Sequence, residues 1–251
     1  MLETHHLTIR FGGHVAVDRV SCSFTPGTLT AIVGPNGAGK TTYFNLISGQ
    51  LRASEGSVRL DGVDITNDTV SARTHRGLGR AFQLTQLFPN LSVVENVRLA
   101  VQSRRREGFD LWSVWLDHRN TRERAHQLVD IVKLADRADV PASSLPHGDQ
   151  RKLEVAMLMA LEPSVYMFDE PTAGMSVDDV PVILDLIRSL KARGDKTILL
   201  VEHKMDVVRE LADRIIVLHN GQLVADGDPA TVIASPVVQQ AYLGMAAEEP
   251  A

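Results

Sequence analysis

A single cysteine, Cys22, stands in 251 residues, so no intrachain disulfide can form and no cysteine-based metal pattern is laid out along the chain. The expectation is a reduced cytosolic setting, with Cys22 a small core residue. Long apolar runs are missing too. None approaches the roughly 20 residues of a membrane-spanning helix, and the opening MLETHHLTIR lacks the hydrophobic segment of a secretion signal, which points to a soluble chain that can still dock on a membrane. Nor is there an excess of positive charge. Against 26 Lys and Arg stand 31 Asp and Glu, a formal charge of −5, which does not suit non-specific nucleic-acid binding because that rests on neutralising phosphates. Internal repeats and low-complexity segments are absent as well, which sets aside solenoids and linkers. With 44% hydrophobic and 23% charged residues the remainder reads as an ordinary globular protein, either one large α/β domain with a lobe or two small domains.

What is present is a loop. Residues 34–42 read GPNGAGKTT and fit G-x-x-x-x-G-K-[ST] at Gly34, Gly39, Lys40 and Thr41. The preceding run 29–33 (LTAIV) is apolar and β-branched, as a buried strand is, and 42–48 can be helical, so the motif falls at a strand-to-helix turn. Glycines let a backbone wrap an anion without Cβ clashes. Gly34, Pro35, Asn36, Gly37, Ala38 and Gly39 thus read as a phosphate cradle, to which the helix start near Lys40 adds its positive end. Lys40 would hold the β- and γ-phosphates, the Thr41 hydroxyl would ligate Mg²⁺, and Thr42 would reach another phosphate oxygen. A glycine-rich turn with a chance lysine is the plain alternative; the flanking strand and helix weigh against it.

Ahead of the loop, 2–10 and 14–24 look like strands joined by Phe11-Gly12-Gly13, and Pro26-Gly27 turns the chain into 29–33. Phe11 is placed to stack on a base, although a bare aromatic is more often packing. After the first helix, 56–60 with Asp61-Gly62 suggests a strand and turn closing a small antiparallel sheet. Residues 73–86 give no clear element. From 91 to 161 the pattern is helical: Ser92 and Glu95 form a capping box, and 120–134 carries apolar residues at helical spacing. Between these helices Arg104, Arg105 and Arg106 lie beside Phe109, Leu111, Trp112, Trp115 and Leu116. That is either a solvated basic face with local core or a membrane-surface or partner contact. Further on, Val182, Ile183, Leu186, Ile187 and Leu190 mark one helix face with Pro181 in its first turn. Residues 214–219 and 222–225, joined by Asn220-Gly221, read as a hairpin, and the chain beyond Gly244 is expected to fray.

A second chemical stretch is VYMFDE at 165–170, an apolar strand ending in Asp169 and Glu170 at the edge where open α/β sheets place ligands. Asp169 would hold Mg²⁺, through water, and Glu170 would polarise the attacking water as general base. Between the loop and this strand lies LPHGDQ at 145–150, with Gly148 just before a helix whose stripe is Leu153, Ala156, Met157 and Ala160. It is a second potential anion site, or an ordinary helix start. The strand-like run 197–201 ends in Glu202-His203-Lys204.

With these motifs in order over nearly its whole length, the chain resembles an ATP-binding cassette (ABC) ATPase. The resemblance implies an α/β fold, a P-loop NTPase cassette with a mixed core sheet, a small antiparallel β subdomain and a helical lobe. One ABC ATPase domain would fill the chain, with about 1–80 and 163–244 as the nucleotide-binding core, 81–162 as the lobe and 245–251 as a tail. It also implies that Phe11 is the adenine-stacking aromatic, Gln83 the lobe-linking glutamine that reaches Mg²⁺ and His203 the switch histidine at the γ-phosphate. Residues 145–150 would be the signature that reaches across a head-to-tail dimer to the partner's ATP.

Within that superfamily the chain is most similar to the larger ATPase subunit of branched-chain amino-acid importers, whose relatives serve urea and short amides. The cues are Arg80-Ala-Phe-Gln-Leu, the extended lobe, Val201-Glu-His-Lys-Met205 and Ala241-Tyr-Leu-Gly244. Such precedent implies ATP and Mg²⁺, a second ABC ATPase as partner in a heterodimer, two integral membrane permeases, an extracytoplasmic binding protein, no nucleic acid, and a place on the cytoplasmic face of the inner membrane. An exporter or a soluble non-transport ABC ATPase stays open as an alternative. Two departures stand out. Pro146 replaces the signature serine, removing a hydroxyl and an N–H, and Ser176 stands where an acid is expected after Glu170. An asymmetric heterodimer is one reading of them; sufficiency of Gly148 and the helix dipole is the other.

Overall fold

A computed structural model describes residues 1–81, 87–105, 114–236 and 238–239. Gln83, Arg106 and the aromatic patch from Phe109 to Trp112 lie outside the described residues, as do residues 241–251 and the side chains of Arg105, Trp115 and Leu116.

The strands and helices follow in the order β1 (Leu2–Phe11), β2 (His14–Phe24), β3 (Leu29–Val33), α1 (Lys40–Ser48), β4 (Glu55–Leu60), β5 (Val63–Asp64), α2 (Val70–His75) and β6 (Leu78–Ala81). Then come α3 (Val93–Arg105), α4 (Val114–Ile131), α5 (His147–Ala160), β7 (Val165–Asp169), α6 (Val180–Ala192), β8 (Thr197–Val201), α7 (Met205–Leu211), β9 (Arg214–His219), β10 (Gln222–Gly227) and α8 (Pro229–Ile233). The chain forms two compact units. One comprises residues 1–78, 164–170 and those from 191 onward; the other comprises 79–163 and 171–190.

In the first unit a sheet runs β10-β9-β3-β8-β7. β3 is parallel to β8 and β9, and β7 is parallel to β8, while β10 returns antiparallel beside β9. Every residue of β3, β7 and β8 is buried, which is why these strands read as unbroken apolar runs rather than as alternating ones. A second, antiparallel sheet has the order β2-β1-β4-β5. Residues from both sheets, among them Leu7, Phe24, Leu199 and Ile216, close on Phe44 and Ile47 of α1 in one core. The helix that follows the glycine loop is thereby anchored from behind.

The second unit is mostly helical. Half of the expected capping box forms at α3, where Ser92 Oγ accepts from the Glu95 N–H at 3.3 Å. Buried Asn96 holds the turn before it, donating to the carbonyls of Phe88, Leu91 and Ser92 and accepting from the Phe88 N–H. α5 starts at His147, so Gly148 lies inside its first turn and not ahead of it. Pro146, with φ −56° and ψ 156°, is the residue that ends the extended approach, and its carbonyl accepts from the Gln150 N–H at 3.0 Å. The buried face of α5 also takes in Lys152 and Glu154, whereas Met157 is half-buried.

Candidate functional site

Three parallel strands end level with one another. Val201 of β8 lies opposite Ile32 of β3 on one side and Asp169 of β7 on the other. The residues that follow these strands, Gly34, Glu170 and His203, therefore leave the sheet at its carboxyl edge, where sheets of this kind gather ligands.

The loop after β3 takes a shape that demands glycine at two points. At Gly34 (φ 147°) a Cβ would sit 2.1 Å from the Leu218 carbonyl oxygen, and at Gly39 (φ 95°) it would sit 2.5 Å from that of Ala16. Gly39 caps α1 without any side-chain acceptor, which leaves the first amide N–H groups of the helix for an anion. Lys40, the first helical residue, is buried, and its Nζ donates to the carbonyls of Gly34 at 2.7 Å and Pro35 at 2.9 Å. Burial lowers its pKa, and the charges of Glu170 and Asp169 act in the opposite direction. Thr41 is exposed and Thr42 half-buried on the next positions.

Opposite stand the acids. Asp169 is buried at the end of β7, while Glu170 turns out of the strand with φ 50°, a left-handed conformation that costs a side-chain-bearing residue energy. Its N–H donates to the Val201 carbonyl at 2.9 Å, which fixes that turn against β8. His203 Nε2 donates to Glu170 Oε1 at 2.8 Å, the tautomer being the one that a carboxylate acceptor requires. The backbone N–H of His203 donates to the buried Glu202 carboxylate at 2.9 Å.

The first unit thus brings together the glycine loop, Lys40, Asp169, Glu170 and His203. Phe11 is exposed at the end of β1, at the turn into β2, whose Ala16 lies against Gly39. Hard oxygen donors at Thr41 and Asp169 fit Mg²⁺. Among the described residues no group of three His, Cys, Asp or Glu forms a metal cage.

Gly148 belongs to the second unit. There a Cβ on it would lie 2.8 Å from Asp179 Oδ2. Asp179 pairs with buried Lys152, which also donates to Asp149 at 3.1 Å, and Ser176 donates to Asp179 at 2.7 Å. Asp179 is thus an acid three residues beyond Ser176, on the same loop. Sequence reading missed this cluster, for which its only signal was the i,i+3 spacing of Asp149 and Lys152.

The sequence pattern of the ABC transporter family matches residues 17–173, and this span holds the glycine loop and the Asp169-Glu170 pair together. The chain belongs to that family. It is 36% identical, over 98% of both chains, to a high-affinity branched-chain amino acid transport ATP-binding protein of Pseudomonas aeruginosa, BraF. Its identity to the corresponding protein LivG of Escherichia coli K12 is 34%, again over 98% of both chains. Among solved structures it is similar to the ADP conformation of an ATP-binding cassette of an ABC transporter, with a TM-score of 0.80 and 31% identity over 97% of this chain and 98% of that one. A dimeric post-hydrolysis cassette bound to ADP and Pi matches with a TM-score of 0.78 and 26% identity, over 91% and 99%. As a family member the chain is an ATP-binding, ATP-hydrolysing cassette of a transporter, with membrane permeases as its partners. No helix among the described residues is long and apolar enough to cross a membrane, and such a subunit associates with the membrane peripherally.

Proposed function

We propose that this chain powers uptake of branched-chain amino acids from the cytoplasmic face of the membrane. It would act as one half of an ATPase heterodimer, in a complex with two permeases and an extracytoplasmic binding protein. The reading is carried by the end-to-end similarity to BraF and LivG, both branched-chain amino acid transport ATP-binding proteins. In the ATPase site, Phe11 would stack on adenine, while residues Gly34 to Gly39 cradle the phosphates. Lys40 would move from the Gly34 and Pro35 carbonyls to the β- and γ-phosphates, and Thr42 would hold a further phosphate oxygen. Thr41 and Asp169, with Gln83, would hold Mg²⁺, which when bound neutralises phosphate charge. Glu170 would take the proton from water as its oxygen attacks the γ-phosphorus; the bond from that phosphorus to the bridging oxygen breaks, and ADP leaves with the electron pair. The His203 contact at 2.8 Å supports a role in orienting Glu170. Gly148, in the first turn of α5, would face the partner's γ-phosphate, with Pro146 contributing neither hydroxyl nor N–H.

Glu170→Gln protein purified from its native membranes in MgATP tests this. Two different permeases and a second ATPase should accompany it, and cells carrying it in place of wild type should lose leucine, isoleucine and valine uptake. Ribosomal proteins in place of permeases, or intact uptake, would sink the proposal.

A further inference from the structure

The hairpin turn Asn220-Gly221 has no part in the chemistry above, yet it lies against the back of the phosphate loop. The Gly221 N–H donates to the Ala38 carbonyl at 3.0 Å, and the Gly221 carbonyl accepts from the Asp18 N–H of β2 at 2.8 Å. Gln222 Nε2 closes the same corner on Asp18 Oδ2 at 2.8 Å. Gly221 (φ 76°) is wedged so closely that a Cβ would meet the Ala16 carbonyl oxygen at 2.8 Å and Val17 Cα at 3.2 Å, while a Cβ on Gly39 would come within 3.4 Å of Gly221 Cα.

A trans peptide is planar, with its C=O and N–H on opposite sides. Because the Ala38 C=O is drawn outward onto Gly221, the Gly39 N–H in that same peptide unit must point the other way, into the loop. We infer that the Asn220-Gly221 turn is the rear support of the phosphate loop and that Gly221 is a positioning residue, whose N–H pins the 38–39 peptide with the Gly39 N–H aimed at phosphate. Without the pin that peptide is free to rotate. One turned the other way would present a carbonyl oxygen to the phosphate, repelling the anion instead of binding it. The inference rests on the ATP-binding role of the loop.

Three proteins decide it: wild type, Gly221→Ala, and Gln222→Ala, which removes only the exposed Gln222–Asp18 tie. Affinities for ATP, ADP and AMP are measured by displacement of a fluorescent nucleotide, alongside nucleotide-free melting by circular dichroism. Gly221→Ala should bind ATP and ADP about tenfold to a hundredfold more weakly, the weight of one charge-assisted hydrogen bond, with AMP within about twofold. Gln222→Ala should show a smaller loss of the same phosphate-dependent kind. A merely structural role would weaken all three nucleotides alike, and that result overturns the inference. So does wild-type ATP affinity in folded Gln222→Ala, whether Gly221→Ala folds with unchanged affinity or fails to fold. Wild type that binds no ATP would instead refute the nucleotide reading itself.

Discussion

Lys152 carries a buried ammonium group between two carboxylates. Burial pulls its pKa down, but hydrogen bonds with Asp179 and Asp149 outweigh this and leave it raised above 10.5. Asp179 is held below its ordinary 3.8 by the Lys152 hydrogen bond first and by Ser176 second. The Asp179 contribution to stability is present above pH 3.8 and is lost as pH falls through the lowered folded value. That of Lys152 is present below pH 10.5 and is lost as pH rises through its raised folded value. Both are in place at neutral pH, where Lys152→Met should cost about 1 to 3 kcal/mol, because it leaves Asp179 without its paired cation in a poorly hydrated site while Asp149 keeps Arg137. Urea unfolding at pH 7 and at pH 3 checks this. The gap between wild type and variant should begin to narrow at the lower pH, and a gap that does not change would show that the pair is not the source.

At the scale of elements, the phosphate-loop helix is fastened at its far end by one side chain. Arg73 of α2, only 2% exposed, donates to the carbonyls of Leu46, Ile47, Thr66 and Asp68, capping the carboxyl end of α1 and tying the 66–68 loop to it. Gly49 makes room, since a Cβ there would lie 2.7 Å from Arg73 Nε. Arg73→Met should therefore leave four carbonyls short of a donor. It should lower stability by about 2 to 4 kcal/mol, a fall of roughly 5 to 15 °C in melting temperature for a chain of this size. Calorimetry of the nucleotide-free protein reads it; a fall of a degree or less would mean that α1 ends without Arg73. This corner was also the least legible in the sequence. β3, β7 and β8 announced themselves as continuous apolar runs, and the glycine loop did so as a motif. α2 and β6 span only six and four residues, and the anchor of α2 is a cation, which no hydrophobic pattern marks as buried. The start of α5 was misplaced for a related reason: its apolar stripe begins at Leu153, about two turns after Pro146 ends the extended chain. Asn220-Gly221 was legible as a turn, but what it leans on was not, because packing between β2, β10 and the loop leaves no local signature.

For the whole molecule, ATP binds the folded state and not the unfolded chain, so it must raise stability by mass action. At a hundredfold its Kd the gain is about 2.7 kcal/mol, or roughly 5 to 10 °C in melting temperature. Glu170→Gln protein in MgATP should show this shift and Lys40→Met should not, as thermal unfolding followed by circular dichroism would report. An equal shift in Lys40→Met would place the nucleotide elsewhere. The sheet that carries the loop is assembled out of chain order: β3, completed by Val33, finds its two neighbours in β8 and β9, the latter supplied by residues 214–219. During synthesis, at about 5 to 20 residues per second, the strand and its glycine loop wait roughly 10 to 40 s before both flanks exist. For that interval the nascent chain carries the whole phosphate motif with nothing to hold it in shape. Competence for ATP arrives late and all at once, with the last third of the polypeptide.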